Sequence, residues 1–189
     1  ELYRAYPISN FDTGAARALT DKGVELIYIA SHAIKDLRGP EFVYEFEKGT
    51  VFYDGRGQTI SARFADGQAE DYGDPYADPT NKLFDSMKAL RGGPPVVCGP
   101  EAALPQTICV NGMQESMPEI AEFPKRFVRA QGAQGKRYVY VEDLGEWLGR
   151  CYDNAALPSE LGAPWAVAGR IMDLRDYAAF PRSPNFPLA

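Results

Sequence analysis

Short strand-like runs separated by turns fill residues 1 to 73 and restrict the fold more than any other feature of the sequence. Val24–Ala30 follows Asp21-Lys22-Gly23, where the glycine readily takes the positive φ that closes a hairpin. In Phe42–Glu47 aromatic residues alternate with valine and glutamate, so we expect the aromatic face to be buried and the other to be wet. The pattern predicts a single antiparallel sheet of roughly six or seven strands.

Helical spacing replaces the strand pattern after Pro79. Apolar residues at Leu83, Phe84, Met87 and Leu90 predict a helix over residues 81–90. A second helix is expected from Gly99-Pro100 to about Ser116, and Pro105 inside it predicts a kink or a late start. The expected fold class is therefore α+β, an open, mainly antiparallel sheet with helices packed on one face.

The carboxyl-terminal third is expected to be less regular. Residues 118–135 are rich in Pro, Gly and Gln and predict a linker, while residues 137–141 predict a strand. Asp143 is expected to cap a helix that runs through Cys151. The prolines after Asn154, including Pro184 and Pro187, predict an irregular tail. We therefore divide the chain into an antiparallel-sheet domain for substrate and oligomerisation, residues 1–117, and an extension packed on it, residues 118–189.

Charge and composition exclude several classes of function. The net charge of -6 repels phosphate backbones, so nucleic acid is not an expected partner. The sequence has no apolar run long enough for a membrane span and no basic-then-apolar leader, so we expect a soluble, cytoplasmic protein. Three cysteines without a close pair and a single histidine do not predict a zinc site. The acidic residues between Asp66 and Asp78 do not match a calcium loop, so no metal is expected.

The sequence also lacks the motifs that bind nucleotides. No GxGxxG follows a strand, and no GxxxxGK[ST] loop occurs. Gly55-Arg56-Gly57 connects two strands, whereas a pyrophosphate site needs a helix directly after the glycines. We expect no cofactor to be bound by this chain alone.

His32 and its neighbours are the candidate substrate-binding residues. His32 lies at the end of the strand expected from Val24 to Ala33, on the face of Tyr28, and an imidazole there binds a hydroxyl or moves a proton. The alternative is a histidine hydrogen-bonded at the end of a sheet. Lys35 and Arg38 in the next loop are expected at the same rim, either holding a carboxylate or phosphate or remaining solvated. No residue of the chain is predicted to be catalytic.

The order of several motifs resembles the carboxyl-terminal domain of the Gfo/Idh/MocA family, the glucose-fructose oxidoreductase and inositol dehydrogenase group. The resemblance covers residues 1–117, and Pro164-Trp165-Ala166 is similar to extensions in some members. The motifs are Phe11-Asp12-Thr13, Ala30-Ser31-His32-Ala33, Gly39-Pro40 with Tyr44-Glu45-Phe46-Glu47, Pro100-Glu101-Ala102-Ala103, and Asn111-Gly112-Met113-Gln114-Glu115-Ser116.

This resemblance implies a larger parent protein in which an amino-terminal Rossmann domain binds NAD or NADP. The sheet of the second domain would then hold a small-molecule substrate and build a homo-oligomer. The family's catalytic lysine, aspartate and histidine would precede Glu1, and His32 does not match their helical motif. The strand-like start at Glu1 fits a shortened, cleaved or processed chain that lacks the Rossmann domain.

The expected function is that of the substrate-binding and oligomerisation domain of an NAD(P)-dependent oxidoreductase acting on a sugar, polyol or related hydroxy compound. By itself the fragment is expected to be inactive. One alternative is a free-standing module that binds carbohydrate or associates with itself through its aromatic residues. Another is a small β-rich enzyme that uses His32 with nearby carboxylates.

Overall fold

The computed structural model describes residues 1–133 and 137–182. The chain divides into two compact units. Unit 1 comprises Glu1–Asp36 and the described part of Ala103–Ala189, and unit 2 comprises Leu37–Ala102. Pro184 and Pro187 lie outside the described residues.

The helices and strands follow the chain in this order: β1 (Leu2–Arg4), β2 (Thr13–Leu19), β3 (Glu25–Ser31), β4 (Phe42–Phe46), β5 (Gly49–Tyr53), β6 (Ser61–Phe64), β7 (Ala69–Asp71), α1 (Asn81–Leu90), α2 (Pro100–Ser116), β8 (Ala121–Glu122), β9 (Val128–Gln131), β10 (Tyr138–Val141) and α3 (Leu144–Asp153).

The main sheet of unit 1 has four strands in the order β3-β2-β1-β8. β1 pairs antiparallel with β2 and parallel with β8, and β2 pairs antiparallel with β3. β9 and β10 form a separate antiparallel pair.

Hydrophobic clusters pack on both faces of this sheet. Successive residues of β1 point to opposite sides, so Leu2 and Tyr3 belong to different clusters. Leu2 packs against Met113 and Met117 at the carboxyl end of α2. Tyr3 belongs to the larger cluster on the other face, which includes Leu144 of α3. In that cluster the Tyr3 ring lies 5.4 Å from the Phe123 ring and 4.9 Å from the Trp165 ring, measured between centroids. The end of α2 and helix α3 therefore pack on opposite faces of the sheet.

Unit 2 is built on the antiparallel sheet β4-β5-β6-β7. Its buried hydrophobic side chains among the described residues are Tyr53 and Ala62. Helix α1 buries none of its residues. The small interior leaves most apolar side chains of unit 2 in contact with solvent.

Several sequence predictions are confirmed. The fold is α+β with open, mostly antiparallel sheets. The helices predicted over 81–90 and from Pro100 to Ser116 have those bounds, and the strand before Val141 and the helix through Cys151 are present. Residues 154–182 contain no helix or strand, as the prolines indicated.

Among the described residues, none of the helices has the length and the apolar character that a membrane span requires.

The predicted single sheet is wrong, because the seven strands of residues 1–73 divide between two sheets. Alternation shows which residues share a face of a strand, but not which strand lies beside it. The aromatic face of β4 is not buried either: Tyr44 is 49% exposed and Phe46 is 64% exposed. The compact units divide the chain after Asp36 and after Ala102, and the proposed division at residue 117 into a sheet domain and an extension stays a prediction.

Three local expectations also fail. The segment predicted to be a linker contains β8 and β9. The prediction failed because Ala121 pairs with a strand more than 100 residues earlier, and such pairing leaves no local signal in the sequence. Helix α2 begins at Pro100, so the late start offered for Pro105 is wrong, while the alternative of a kink at this residue stays a prediction. Asp143 has a left-handed backbone with φ 57° and makes no side-chain hydrogen bond to the helix that it precedes.

Candidate functional site

A cavity of about 380 Å³ opens at one end of the unit 1 sheet. Its wall is formed by the end of β1 and the loop after it, by β8 with the residues that follow, and by the first residue of β9. This volume lies within the roughly 300–1,000 Å³ of small-molecule sites. The lining residues are Arg4, Ala5, Tyr6, Pro7, Ile8, Glu122, Phe123, Lys125 and Val128.

Asp12 fixes the loop that forms one wall of this cavity. Its side chain is buried, and its Oδ2 atom accepts hydrogen bonds from the backbone N–H groups of Ala5 at 2.7 Å and Tyr6 at 2.8 Å. Bonds from backbone N–H groups to a carboxylate are shorter and stronger than those between neutral groups. The carboxylate therefore sets the backbone position of two lining residues.

A hydroxyl pair continues this network into the sheet. Thr13 donates to Asp12 Oδ1 at 3.0 Å, and Thr13 Oγ1 lies 2.8 Å from Ser31 Oγ. Because the hydrogen of Thr13 is used on Asp12, Ser31 donates to Thr13. Ser31 in turn accepts the N–H of Ala33 at 3.0 Å. The polar chain thus joins the ends of β2 and β3 to the cavity wall.

Tyr6 is held from the opposite side. Its hydroxyl oxygen accepts the backbone N–H of Val139 in β10 at 3.0 Å. The hydroxyl hydrogen has no acceptor among the described residues, so this hydroxyl can still donate one hydrogen bond.

Of the two basic side chains that line the cavity, Arg4 is held by an ion pair and Lys125, among the described residues, is not. Arg4 bonds Glu122 at 3.0 Å and the carbonyl oxygen of Ile8 at 2.9 Å, so its guanidinium is held in place. Lys125 is exposed and forms no ion pair within the described part of the chain. The lining therefore includes an ammonium without an ion-pair partner, the side chain of Tyr6 and the apolar residues Ile8, Phe123 and Val128.

The predicted binding residues His32, Tyr28, Lys35 and Arg38 do not line this cavity. The His32 backbone N–H donates to the Asp12 carbonyl oxygen at 2.8 Å, which places it beside the network. The imidazole is exposed and has no hydrogen-bond partner among the described residues. Tyr28 is 56% exposed on β3, and alternation puts it on the face of His32.

The two cations of the predicted rim belong to different units. Lys35 is exposed in unit 1, whereas Arg38 lies in unit 2 and forms an ion pair with Glu41, with Nη2 3.3 Å from Oε2. A joint role for His32, Tyr28, Lys35 and Arg38 stays a prediction.

Sequence reasoning did not select Asp12, Tyr6 or Lys125. Asp12 carried a usable signal, because an aspartate just before a strand commonly binds nearby backbone N–H groups. Tyr6 and Lys125 carried none, since they are more than 100 residues apart and meet only through the parallel pairing of β1 with β8.

Neither the Cys151 thiol nor a metal ion contributes to this site among the described residues. Cys151 is fully buried, and burial raises the pKa of its thiol to about 11, which keeps it protonated. Within residues 1–133 and 137–182, no three His, Cys, Asp or Glu side chains form a group that could hold a metal ion.

Comparison with known proteins returned no family model, no curated protein and no solved structure that matches the chain.

Proposed function

We propose that this chain is the substrate-binding and oligomerisation domain of a cytoplasmic NAD(P)-dependent oxidoreductase that acts on a sugar, polyol or related hydroxy compound. The substrate would occupy the 380 Å³ cavity of unit 1, with a homo-oligomer forming through the sheet of unit 2. Nucleic acid is not among the proposed partners.

The contact between separate sequence motifs supports this proposal. Thr13 and Ser31, from two motifs of the Gfo/Idh/MocA resemblance, face each other in β2 and β3. Met113, from the last motif, reaches the same strand: a Cβ built on Gly14 would lie 3.2 Å from its Cε atom. Motifs that lie up to 100 residues apart in the sequence thus meet at β2. This strand pairs with β1, and the end of β1 lines the cavity.

The lining of the cavity supports a hydroxy compound as ligand. Lys125 and Tyr6 supply donors for hydroxyl oxygens, and Glu122 supplies an acceptor. Phe123, Val128 and Ile8 offer apolar surface for carbon–hydrogen groups. A few convergent polar groups within an apolar wall are typical of small-molecule sites.

The described residues do not fit a nicotinamide dinucleotide. None of their strands leads through a glycine-rich loop into a helix, which is the geometry that binds a pyrophosphate. We place NAD or NADP on a Rossmann domain outside this chain, and we assign no catalytic residue within it. Turnover of NAD(P)H by the chain alone would contradict this placement of the cofactor and the catalytic residues.

The observation that carries the substrate site is the Asp12 network, and Asp12→Asn tests it. The amide oxygen of asparagine accepts the Ala5 and Tyr6 N–H groups more weakly than a carboxylate oxygen does, and the amide nitrogen places a donor opposite Thr13, so the loop is held less firmly. We expect saturable amide shifts at Tyr6 and Lys125 when the chain is titrated with myo-inositol or D-glucose in ¹⁵N NMR. The dissociation constant should rise about three- to tenfold in the variant.

Asp36→Asn is the matched control, since Asp36 is an exposed carboxylate of the same unit. It should leave the titration unchanged. If neither ligand shifts these amides, or if both variants bind like the original chain, the cavity is not the substrate site.

The second candidate, a module that associates with itself without catalysis, is favoured by the exposed aromatic face of the unit 2 sheet. Phe46 and Phe64 flank Gly49 on neighbouring strands, and they are 64% and 38% exposed. Contiguous exposed apolar surface marks interaction sites in many proteins. The two candidates differ in whether the cavity of unit 1 binds a hydroxy compound.

A further inference from the structure

The hairpin of β9 and β10, with the residues just before it, is a basic surface on an acidic protein. Between Glu122 and Glu142 the sequence has five basic residues and no acidic one, although the whole chain has a net charge of -6. Lys136 lies outside the described residues. The other four are exposed in unit 1: Lys125, Arg126, Arg129 and Arg137. We call residues 125–141 the basic hairpin.

Most of this positive charge is not neutralised within the described part of the chain. Arg129 pairs with Glu142, with Nη2 2.6 Å from Oε2. Lys125, Arg126 and Arg137 form no ion pair among the described residues. Exposed charges of one sign attract the opposite sign over about 10 Å at an ionic strength of about 0.1 M. The basic hairpin therefore favours an acidic surface as its partner.

Unit 2 carries such an acidic surface along one edge of its sheet. Between Arg63 and Lys82 the sequence has five acidic residues and no basic one. They lie on β7 and in the turns on either side of it, and β7 is an edge strand because it pairs with β6 alone. All five are exposed, and none forms an ion pair within the described structure: Asp66, Glu70, Asp71, Asp74 and Asp78. We call residues 66–78 the acidic edge.

The charges of the acidic edge select what can pack against it. An edge strand offers unpaired backbone groups to another strand. Pairing β7 with β7 of a second copy would bring Glu70 and Asp71 close to the same carboxylates of that copy, and like charges at such positions destabilise a sheet. A basic surface is attracted by these residues instead. The acidic edge therefore disfavours another acidic edge and favours the basic hairpin.

Both surfaces also expose tyrosine rings beside their charges. Tyr138 of the basic hairpin is exposed, and its ring lies 6.1 Å from the Tyr140 ring, measured between centroids. Tyr72 and Tyr76 are exposed in the acidic edge. Tyrosine and arginine are enriched where proteins bind each other, so the two surfaces have the composition of an interface as well as opposite charge.

We propose that the basic hairpin of one copy of the chain docks on the acidic edge of a second copy, so that a two-fold dimer makes this contact twice. The proposal rests on the homo-oligomer proposed above and adds a contact from unit 1 to its interface. A second copy is the favoured partner because this chain supplies both surfaces, and five basic residues meet five acidic ones in each contact. Complementary charge of this kind fixes the register of an interface and speeds association.

Charge reversal tests the contact by analytical ultracentrifugation of the whole chain. Arg137→Glu and Glu70→Lys should each raise the dissociation constant of the dimer about three- to tenfold, because each places like charges at both contacts. Mixed in equal amounts, the two variants should form a heterodimer that dissociates about as the original dimer does. One of its contacts keeps the original charges, and the other has both charges reversed. Raising NaCl from about 50 mM to about 500 mM should weaken the original dimer about tenfold.

Lys22→Glu and Glu119→Lys are the matched controls, because they make the same charge changes at exposed positions of unit 1 outside the basic hairpin. Both should dimerise like the original chain. The contact is overturned if the dimer is insensitive to salt, if the controls weaken it as much as Arg137→Glu and Glu70→Lys do, or if mixing those two variants restores nothing. In each case a dimer is still present, so the proposed homo-oligomer stands.

Two further outcomes overturn the proposal in different ways. A chain that stays monomeric at every concentration overturns the contact and the homo-oligomer together. A basic hairpin could also bind a nucleic acid, so the same variants are titrated with a short double-stranded DNA. If Arg137→Glu weakens DNA binding and leaves the dimer unchanged, the basic hairpin is a nucleic-acid surface and not part of the dimer interface.

Discussion

Glu115 is a buried carboxylate that holds the carboxyl-terminal segment of unit 1. It is 3% exposed, and its Oε1 atom accepts the Tyr177 hydroxyl at 2.7 Å and the Arg182 N–H at 2.5 Å. Arg170 Nε donates to the Glu115 carbonyl oxygen at 3.0 Å. Burial alone would raise the pKa of this carboxyl, but the Arg182 N–H, the Tyr177 hydroxyl and the two guanidiniums outweigh it and lower the pKa.

We expect Glu115→Gln to lower the free energy of unfolding by about 1–3 kcal/mol at pH 7, because it removes a buried charged acceptor. A carboxyl with a lowered folded-state pKa stabilises the protein above its unfolded pKa, and that contribution is lost as pH falls through the folded pKa. The difference between the original chain and the variant should therefore be constant near neutrality and shrink below the ordinary value of 4.5. Urea unfolding at a series of pH values measures it.

Glu119→Gln is the control for this titration, since Glu119 is exposed in the same unit. Its stability should follow that of the original chain at every pH. A difference for Glu115→Gln that grows on acidification would mean that the buried carboxyl destabilises the fold.

At the scale of elements, the sequence predicted where a helix or strand lies better than it predicted which other elements it packs against. The stripe of Leu83, Phe84, Met87 and Leu90 correctly predicted α1, because helical periodicity is a local property. The same stripe did not predict that α1 buries none of its residues.

The hairpin between β4 and β5 depends on Gly49. A Cβ built there would lie 2.5 Å from the Arg63 carbonyl oxygen on β6, and a backbone atom cannot move aside as a flexible side chain does. We expect Gly49→Ala to destabilise unit 2 by roughly 1–3 kcal/mol, the usual cost of overpacking. Amide exchange of β5 and β6 measures the loss.

Gly145→Ala is the matched control, because a Cβ built on this glycine of α3 meets no atom within 4 Å. Replacing glycine by alanine inside a helix should stabilise α3 by about 0.5–1 kcal/mol. Equal effects of the two substitutions would show that the contact with Arg63 is relieved without cost.

At the scale of the whole molecule, the two units differ in how completely they bury their own apolar residues. Unit 1 covers both faces of its sheet, with clusters around Leu2 and Tyr3. Unit 2 buries Tyr53 and Ala62 among its described hydrophobic residues, and its aromatic sheet face stays exposed. Apolar surface of this kind is stabilised by removal from water, so a second copy of the chain is the partner that we propose for it.

Phe46→Ser tests that assembly. Phe46 is 64% exposed on β4, so its replacement removes interface area while changing the stability of the monomer little. We expect the original chain to sediment as a reversible dimer, with dissociation at least tenfold easier in the variant, as for a central aromatic contact. Leu19→Ser is the control: Leu19 is 75% exposed on β2 of unit 1, and its loss should leave the dimer intact. If the original chain stays monomeric at every concentration, or if both variants weaken the dimer equally, then the unit 2 sheet is not the interface. An intact dimer in Phe46→Ser, with binding at the unit 1 cavity retained, would mean that the dimer forms through another surface.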